Sequence, residues 1–367
     1  MRFDAATLAN APTAALRAYD PGHDLPALRR LHGELLAELG SNENPFGPSP
    51  LAIAAMRSAL DDIHRYPDPK GGALKHALAA ELGTEVGRIA LGNGSHELLM
   101  LLAQCFAGPG TSSVHSEYGF AVFAIATAAA GARSIRVPAF ARTHVRRYGH
   151  DLEALAAAVE ADTRIVFLAN PNNPTGSWFD DGELEALLAR VPPSVLVVVD
   201  EAYHEFVDQD GPRSALAFAS RHPNLVVTRT FSKAYALAGL RVGYLVADPG
   251  VIEVIERLRE SFNVNALALA AAEAALGDRD HLAAARSWTL AERAWLADRL
   301  GARGYDVLPS QTNFLLVDLG VDAAELEQRL FARGVIVRPM GGYGLGHALR
   351  ISIGRRDENE RLLAALP

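Results

Sequence analysis

Cysteine occurs once in 367 residues, at Cys105. One thiol forms no internal disulfide and builds no cysteine-rich zinc site, so a reducing compartment, the cytoplasm, is expected. Within LLAQCFAG it reads as a small core residue of a helix rather than a nucleophile. Lysine is nearly as scarce: of 35 basic side chains only Lys70, Lys75 and Lys233 are lysines. Long hydrophobic runs are lacking too. The weakly polar stretch 121–132 holds Thr127 and Gly131 and falls short of the roughly 20 apolar residues that span a bilayer. Asp4 and Asn10 stand where an export signal needs a basic start and an unbroken apolar segment. Neither export nor membrane association is expected. Lys and Arg number 35 against 43 Asp and Glu, a net charge of −8, which provides no basic field for nucleic acid. The twelve histidines are scattered and no His-Glu-x-x-His pattern occurs, so no catalytic metal is expected.

What is present is a globular composition, 49% hydrophobic and 21% charged, long enough for two or three packed units. From about residue 88 to 247, short β-branched runs alternate with amphipathic helical stretches such as 95–106, 151–160 and 181–190. The runs fall at 88–91, 112–114, 134–137, 164–169, 195–199, 224–228 and 242–246. VLVVVD and RIVFLAN are apolar on both faces, as strands of a parallel sheet covered by helices on each side must be. The expected fold is α/β: a large, doubly wound, mostly parallel sheet domain and a smaller α+β domain. The large domain is expected over 49–262, and the small one over 263–367 together with 1–48, which includes an N-terminal arm. In the small domain the strands are expected at 313–317, 335–337 and 349–353 around a helix at 322–333, with the glycine-rich 341–346 as a loop that gates a pocket.

Four segments carry chemistry. In TFSKAYALAGLRVGY, Lys233 follows a strand, on the side where open α/β sheets bind ligands. An amine desolvated there has a depressed pKa and can attack a carbonyl; alternatively Lys233 is a solvated loop residue. Asp200 ends the apolar strand of VVVDEAY and needs a cation or donor to offset its desolvation, unless it caps the next helix. NPNNPTG (170–176) makes a tight polar turn in which Asn173 can donate to a ligand oxygen, or is an ordinary turn. LGNGSHE (91–97) places small residues at a helix start, where N–H groups cradle phosphate; it lacks the third glycine of the dinucleotide fingerprint and the lysine of a P-loop.

These segments, with LRISIG around Arg350, occur in the order and spacing of fold-type I, class I and II aminotransferases dependent on pyridoxal 5'-phosphate (PLP). Within that class SNENPFGPSP, RYPDPKG and the pair Arg338 and Arg350 resemble the histidinol-phosphate aminotransferases most, over residues 41–353. The resemblance implies that Lys233 binds PLP through a Schiff base and moves the substrate proton. It implies that Asp200 pairs with the ring nitrogen, and that Tyr203 and Asn173 bond the ring oxygen. Tyr118 would stack on the ring or be one more core aromatic. Ser95, His96, Ser232 and Arg241, with Thr230, would hold the phosphate. Tyr66 would reach the phosphate of a neighbouring subunit in a homodimer with shared sites, or be a surface aromatic. Arg338, Arg350 and Asn44 would contact substrate, the arginines taking phosphate or carboxylate bidentately unless they are surface charges. Residues 11–40 align poorly with the family, and position 96 is His where relatives carry acidic or small residues.

The implied reaction is transamination of L-histidinol phosphate with 2-oxoglutarate, giving imidazole acetol phosphate and L-glutamate in histidine biosynthesis. Three other activities fit the motifs: an aromatic or broad-specificity aminotransferase, a threonine-phosphate decarboxylase, and a non-catalytic PLP-sensing module. The last needs a DNA-binding domain, for which the stretch before residue 50 leaves no room.

Overall fold

The computed structural model describes residues 8–16, 24–33 and 36–367, so part of the expected arm over 1–48 lies outside the described residues. β1 (Ala37–Glu38) precedes a seven-stranded sheet. Its strands are β2 (Ile89–Gly92), β3 (Ser112–Ser116), β4 (Arg133–Val137), β5 (Thr163–Ala169), β6 (Leu196–Asp200), β7 (Leu225–Thr230) and β8 (Gly243–Val246). The order is β2-β8-β7-β6-β5-β3-β4, and only β8 runs antiparallel to its neighbours. Each strand overlaps one of the β-branched runs. The double-sided apolarity has a direct cause: Val198 and Val226 pack with Leu98, Leu102 and Phe123 on one face, and Val197, Val199 and Val227 pack with Leu184, Leu187 and Phe218 on the other.

Local signals set the helix starts. Ser49 accepts from the Leu51 and Ala52 N–H groups ahead of the helix Pro50–Ala59. Asp180 and Glu183 form a reciprocal capping box ahead of the helix Asp181–Arg190. The helix Gly94–Phe106 begins without a side-chain cap, which leaves its first N–H groups facing the region where the site forms.

The second sheet is antiparallel and contains β9 (Asp306–Val307), β10 (Phe314–Asp318), β12 (Arg338–Met340) and β13 (Leu345–Ser352), in the order β12-β13-β10-β9. β11 (Val335–Ile336) pairs with β1, which ties the N-terminal segment to this part of the chain. Leu296, Leu300, Leu315, Leu330, Ile351 and Leu362 fill its core, with Ala37 and Leu39. Packing continues unchanged past residue 262: Ala268, Ala271, Ala272 and Ala275 of the helix Ala266–Gly277 lie in one cluster with Leu74, Ile89 and Tyr244. These small residues let the helix sit close against the helix Pro50–Ala59. The change comes in the 23-residue helix Arg279–Gly301, whose far end enters the small core. Residues 341–346 are not one loop: a single 3-10 turn, Gly341–Tyr343, and Gly344 at φ 81° lead directly into β13 at Leu345.

Candidate active site

The carboxyl ends of β5, β6 and β7 open into a cavity of about 270 Å³. Ala169, Asp200 and Thr230 are the last residues of these strands, and all three line it. Asn173, Ser95, His96, Tyr203, Ser232, Lys233, Arg241, Arg338 and Arg350 line it as well. Four cationic side chains therefore face one carboxylate in a chain whose net charge is −8.

Asp200 is buried, and burial pushes its carboxyl up to about 7; the Thr228 hydroxyl, donating to its Oδ1 at 2.9 Å, pulls the other way. Lys233 reaches back toward the N-terminal segment, its Nζ donating to the Asn42 carbonyl at 3.2 Å. Desolvation first, and the Arg350 charge second, push this amine down to about 8. Its ammonium sits 5.8 Å from the centroid of the Tyr203 ring. Buried Tyr203 accepts from Asn42 Nδ2 at 2.9 Å, and burial holds its phenol near 12, so it remains a neutral donor.

One end of the cavity is built around the uncapped helix start. Arg241, at φ 55°, donates to Ser232 Oγ at 3.3 Å and to the Asn93 carbonyl at 3.4 Å. Thr230 Oγ donates to Ser232 Oγ at 3.0 Å and accepts from its N–H at 3.1 Å. Glycine is required beside them. A Cβ on Gly243 would lie 2.7 Å from the Ser95 nitrogen, and one on Gly94, at φ 80°, would lie 2.8 Å from Arg241 Nη2. His96, on the first turn, is held below the usual imidazole range by burial and by Arg241.

At the other end β12 and β13 place Arg338 directly opposite Arg350. Arg350 donates to Asn173 Oδ1 and to the Gly40 carbonyl, each at 2.6 Å, and its guanidinium lies 5.4 Å from the Phe314 ring centroid. The contact settles which way the Asn173 amide points: its oxygen faces Arg350, so its NH₂ is the free donor.

Three expected residues are elsewhere. Tyr118 stands edge-on to Tyr148 with centroids 5.5 Å apart and is not part of the lining; Phe120, two residues on, is. Asn44 donates to the Ala234 carbonyl at 2.9 Å and thereby braces the loop after Lys233, while Asn42 from the same motif faces the cavity. Tyr66 is 83% exposed and stacked on Phe262 at 4.7 Å, away from the cavity. Gly40, Asn42, Phe120, Met340 and Tyr343 line the cavity without having been singled out; Asn42 lies inside SNENPFG and Tyr343 inside the glycine-rich 341–346, segments that the sequence marked.

A cavity at the carboxyl ends of a doubly wound sheet, with a depressed-pKa lysine and a buried acid between two anion-binding ends, is a site for amine chemistry on anionic ligands. The chain belongs to the class I and II aminotransferase family, whose model it matches over residues 36–366. It is 48% identical over 366 residues to histidinol-phosphate aminotransferase 2 of Pseudomonas aeruginosa, covering 99% of this chain and 98% of that one. It is 46% identical over 360 residues to histidinol-phosphate aminotransferase 1 of Nitrosococcus oceani, covering 98% and 96%. The structure of histidinol-phosphate aminotransferase from Sinorhizobium meliloti in complex with pyridoxal-5'-phosphate matches with a TM-score of 0.88 at 36% identity, covering 97% of this chain and 96% of that one. Among the described residues no helix is long and apolar enough to cross a membrane.

Proposed function

We propose that this protein is a PLP-dependent aminotransferase that moves the amino group of L-histidinol phosphate to 2-oxoglutarate, yielding imidazole acetol phosphate and L-glutamate for histidine biosynthesis in the cytoplasm. The observation that carries this reading is the single cavity in which Lys233 and Asp200 lie between two separate cationic ends.

The residues fit PLP. Gly94 and Gly243 let Arg241 and β8 pack tightly against the helix start, and Ser95, Ser232 and Arg241 line the cavity there, a donor set suited to a phosphate dianion at a helix start. Asp200 offers a pyridine nitrogen an oxygen that Thr228 does not occupy. Asn173 NH₂ and the Tyr203 hydroxyl are donors for the ring oxygen, and Phe120 supplies an aromatic wall. When bound, the cofactor supplies an electron sink for the carbanion left at the substrate's Cα. Lys233, half free amine near pH 8, is poised to form the Schiff base and to take and return the proton at Cα. Arg338 and Arg350 can take the phosphate of one substrate and a carboxylate of the other, so that one pocket serves both halves of the exchange.

A homodimer completes the site in this reading. Tyr66 turns away from its own cavity, and Leu51, Leu60, Ile63 and Leu258 are also exposed large apolar residues, which a subunit interface would cover. Tyr66 would then reach the phosphate end of the partner's cavity.

The test is turnover of PLP-loaded enzyme with L-histidinol phosphate, L-phenylalanine or L-threonine phosphate, with 2-oxoglutarate as acceptor, following glutamate and carbon dioxide. Glutamate formed fastest from histidinol phosphate is expected. Faster glutamate formation from phenylalanine would make it an aromatic aminotransferase, carbon dioxide from threonine phosphate a decarboxylase, and no product from any donor would refute the assignment.

A further inference from the structure

Asp200 and Thr228 are register partners on the parallel strands β6 and β7. Partners in a ladder project to the same face, and so do residues two apart on one strand. The face that carries Asp200 into the cavity therefore carries Thr228 and Thr230 beside it. Each hydroxyl is committed: Thr230 to Ser232, which takes a bond from Arg241, and Thr228 to Asp200 Oδ1 at 2.9 Å. Thr228 is fully buried, so no water competes for that oxygen.

We infer that Thr228 is a positioning residue for the reaction: its hydroxyl fixes the Asp200 carboxyl so that the other oxygen faces the cofactor's ring nitrogen, and it favours the anionic form of that carboxyl inside the sheet. Thr228 lies outside the cavity lining and acts only through Asp200. A carboxylate at the end of an apolar strand has two ways to escape its desolvation, rotating toward another donor or taking up a proton. The Thr228 bond opposes both, because it holds one oxygen in place and favours the charged form. The other groups acting on Asp200 are Lys233 from the loop after β7, which favours the anion, Glu201 next along the chain, which opposes it, and the Ala202 N–H, which favours it. Tyr203 on the following turn also senses this charge. None of these is set by strand register; Thr228 is.

The inference rests on Asp200 as the partner of the ring nitrogen, and the experiment separates the two ideas. Thr228→Val keeps the shape and removes the donor; Thr228→Ser restores the donor in a smaller side chain. Each variant, with Asp200→Asn alongside, is loaded with PLP. Cofactor affinity is measured by fluorescence, the pH midpoint of the bound cofactor's absorbance is titrated, and kcat and KM are followed against pH. For Thr228→Val, affinity is expected to fall about tenfold, the loss of one hydrogen bond to a charged group. The acid limb of the kcat profile should move to higher pH, KM for 2-oxoglutarate should hold, and Ser should bring the values back to within about twofold of the parent. Thermal melting run in parallel separates a packing defect, because a merely structural Thr228 would lower stability without moving the acid limb or the absorbance midpoint. That result, with Asp200→Asn inactive, would overturn the role of Thr228 and leave that of Asp200 standing. An active Asp200→Asn with the parent's absorbance titration would overturn the reading of Asp200 itself, and this inference with it.

Discussion

The lysine scarcity makes one measurement unusually clean. With only Lys70, Lys75 and Lys233 in the chain, competitive acetylation of the cofactor-free protein reports three lysine sites by mass spectrometry, and exposed Lys70 serves as the reference for reagent chemistry in the same molecule. Burial and the Arg350 charge push the Lys233 amine down to about 8. At pH 8 about half of it is then the free, reactive base, against about 0.4% for a lysine at the ordinary value of roughly 10.4, an advantage of about a hundredfold. Arg350→Met removes the second cause. Two unit charges at an effective dielectric near 20 interact by about 4 kcal/mol at 4 Å and about 2 kcal/mol at twice that separation. Since about 1.4 kcal/mol equals one pK unit, the Lys233 midpoint should rise by about one unit or more. A Lys233 midpoint above about 10 in the parent protein would refute the desolvation argument. A midpoint that Arg350→Met leaves in place would refute the electrostatic coupling across the cavity.

Two further outcomes follow from the site's cost to the fold. Asp200 has a folded pKa of about 7 against an unfolded value of 3.8, so the folded state holds its proton more tightly and stability falls as pH rises from about 4 to 7. Asp200→Asn in the cofactor-free protein should raise stability at pH 8 by up to about 4 kcal/mol, roughly three pK units at about 1.4 kcal/mol each, and should change it little at pH 4; urea unfolding at both pH values checks this, and lower stability at pH 8 would sink it. Gly243→Ala would bring a Cβ within 2.7 Å of the Ser95 nitrogen and 2.8 Å of the Arg229 carbonyl, so β8 must part from the helix start. PLP affinity should fall at least tenfold, by roughly the 1.4 kcal/mol or more that such overpacking costs, and parent-like binding in an equilibrium titration would show that the cradle tolerates the shift.

The large sheet was legible because its signal is local. The β-branched runs Val197–Val199 and Leu225–Val227 are apolar at consecutive positions, and the two buried faces demand that of them. Short strands carried no such signal. β1, β9 and β12 have two or three residues, and they exist because β11, β10 and β13 offer them a free edge. The opening of β13 was concealed for a related reason: Leu345-Gly-His reads as loop by composition, yet Leu345 pairs with Met340 once Gly344 takes its left-handed turn.

Within the site, legibility divides along the same line. Lys233, Asp200 and Asn173 each follow directly from a strand end and could be found from one segment. Asn42, Phe120 and Thr228 could not, since each matters through a partner far away in sequence: Tyr203 for Asn42, the cavity wall for Phe120, a neighbouring strand for Thr228. Arg350 shows what such convergence does. Its guanidinium binds Asn173 from the large sheet and Gly40 from the N-terminal segment, and it depresses the Lys233 pKa. On the proposed assignment a substrate anion that engages Arg350 offsets the charge that, after desolvation, lowers the Lys233 pKa, and pulls on the amide that orients the ring-oxygen donor. Substrate binding and the proton affinity of the catalytic amine are therefore coupled through one side chain, and for that coupling the chain brings its N-terminal segment, its large sheet and its small sheet to a single cavity.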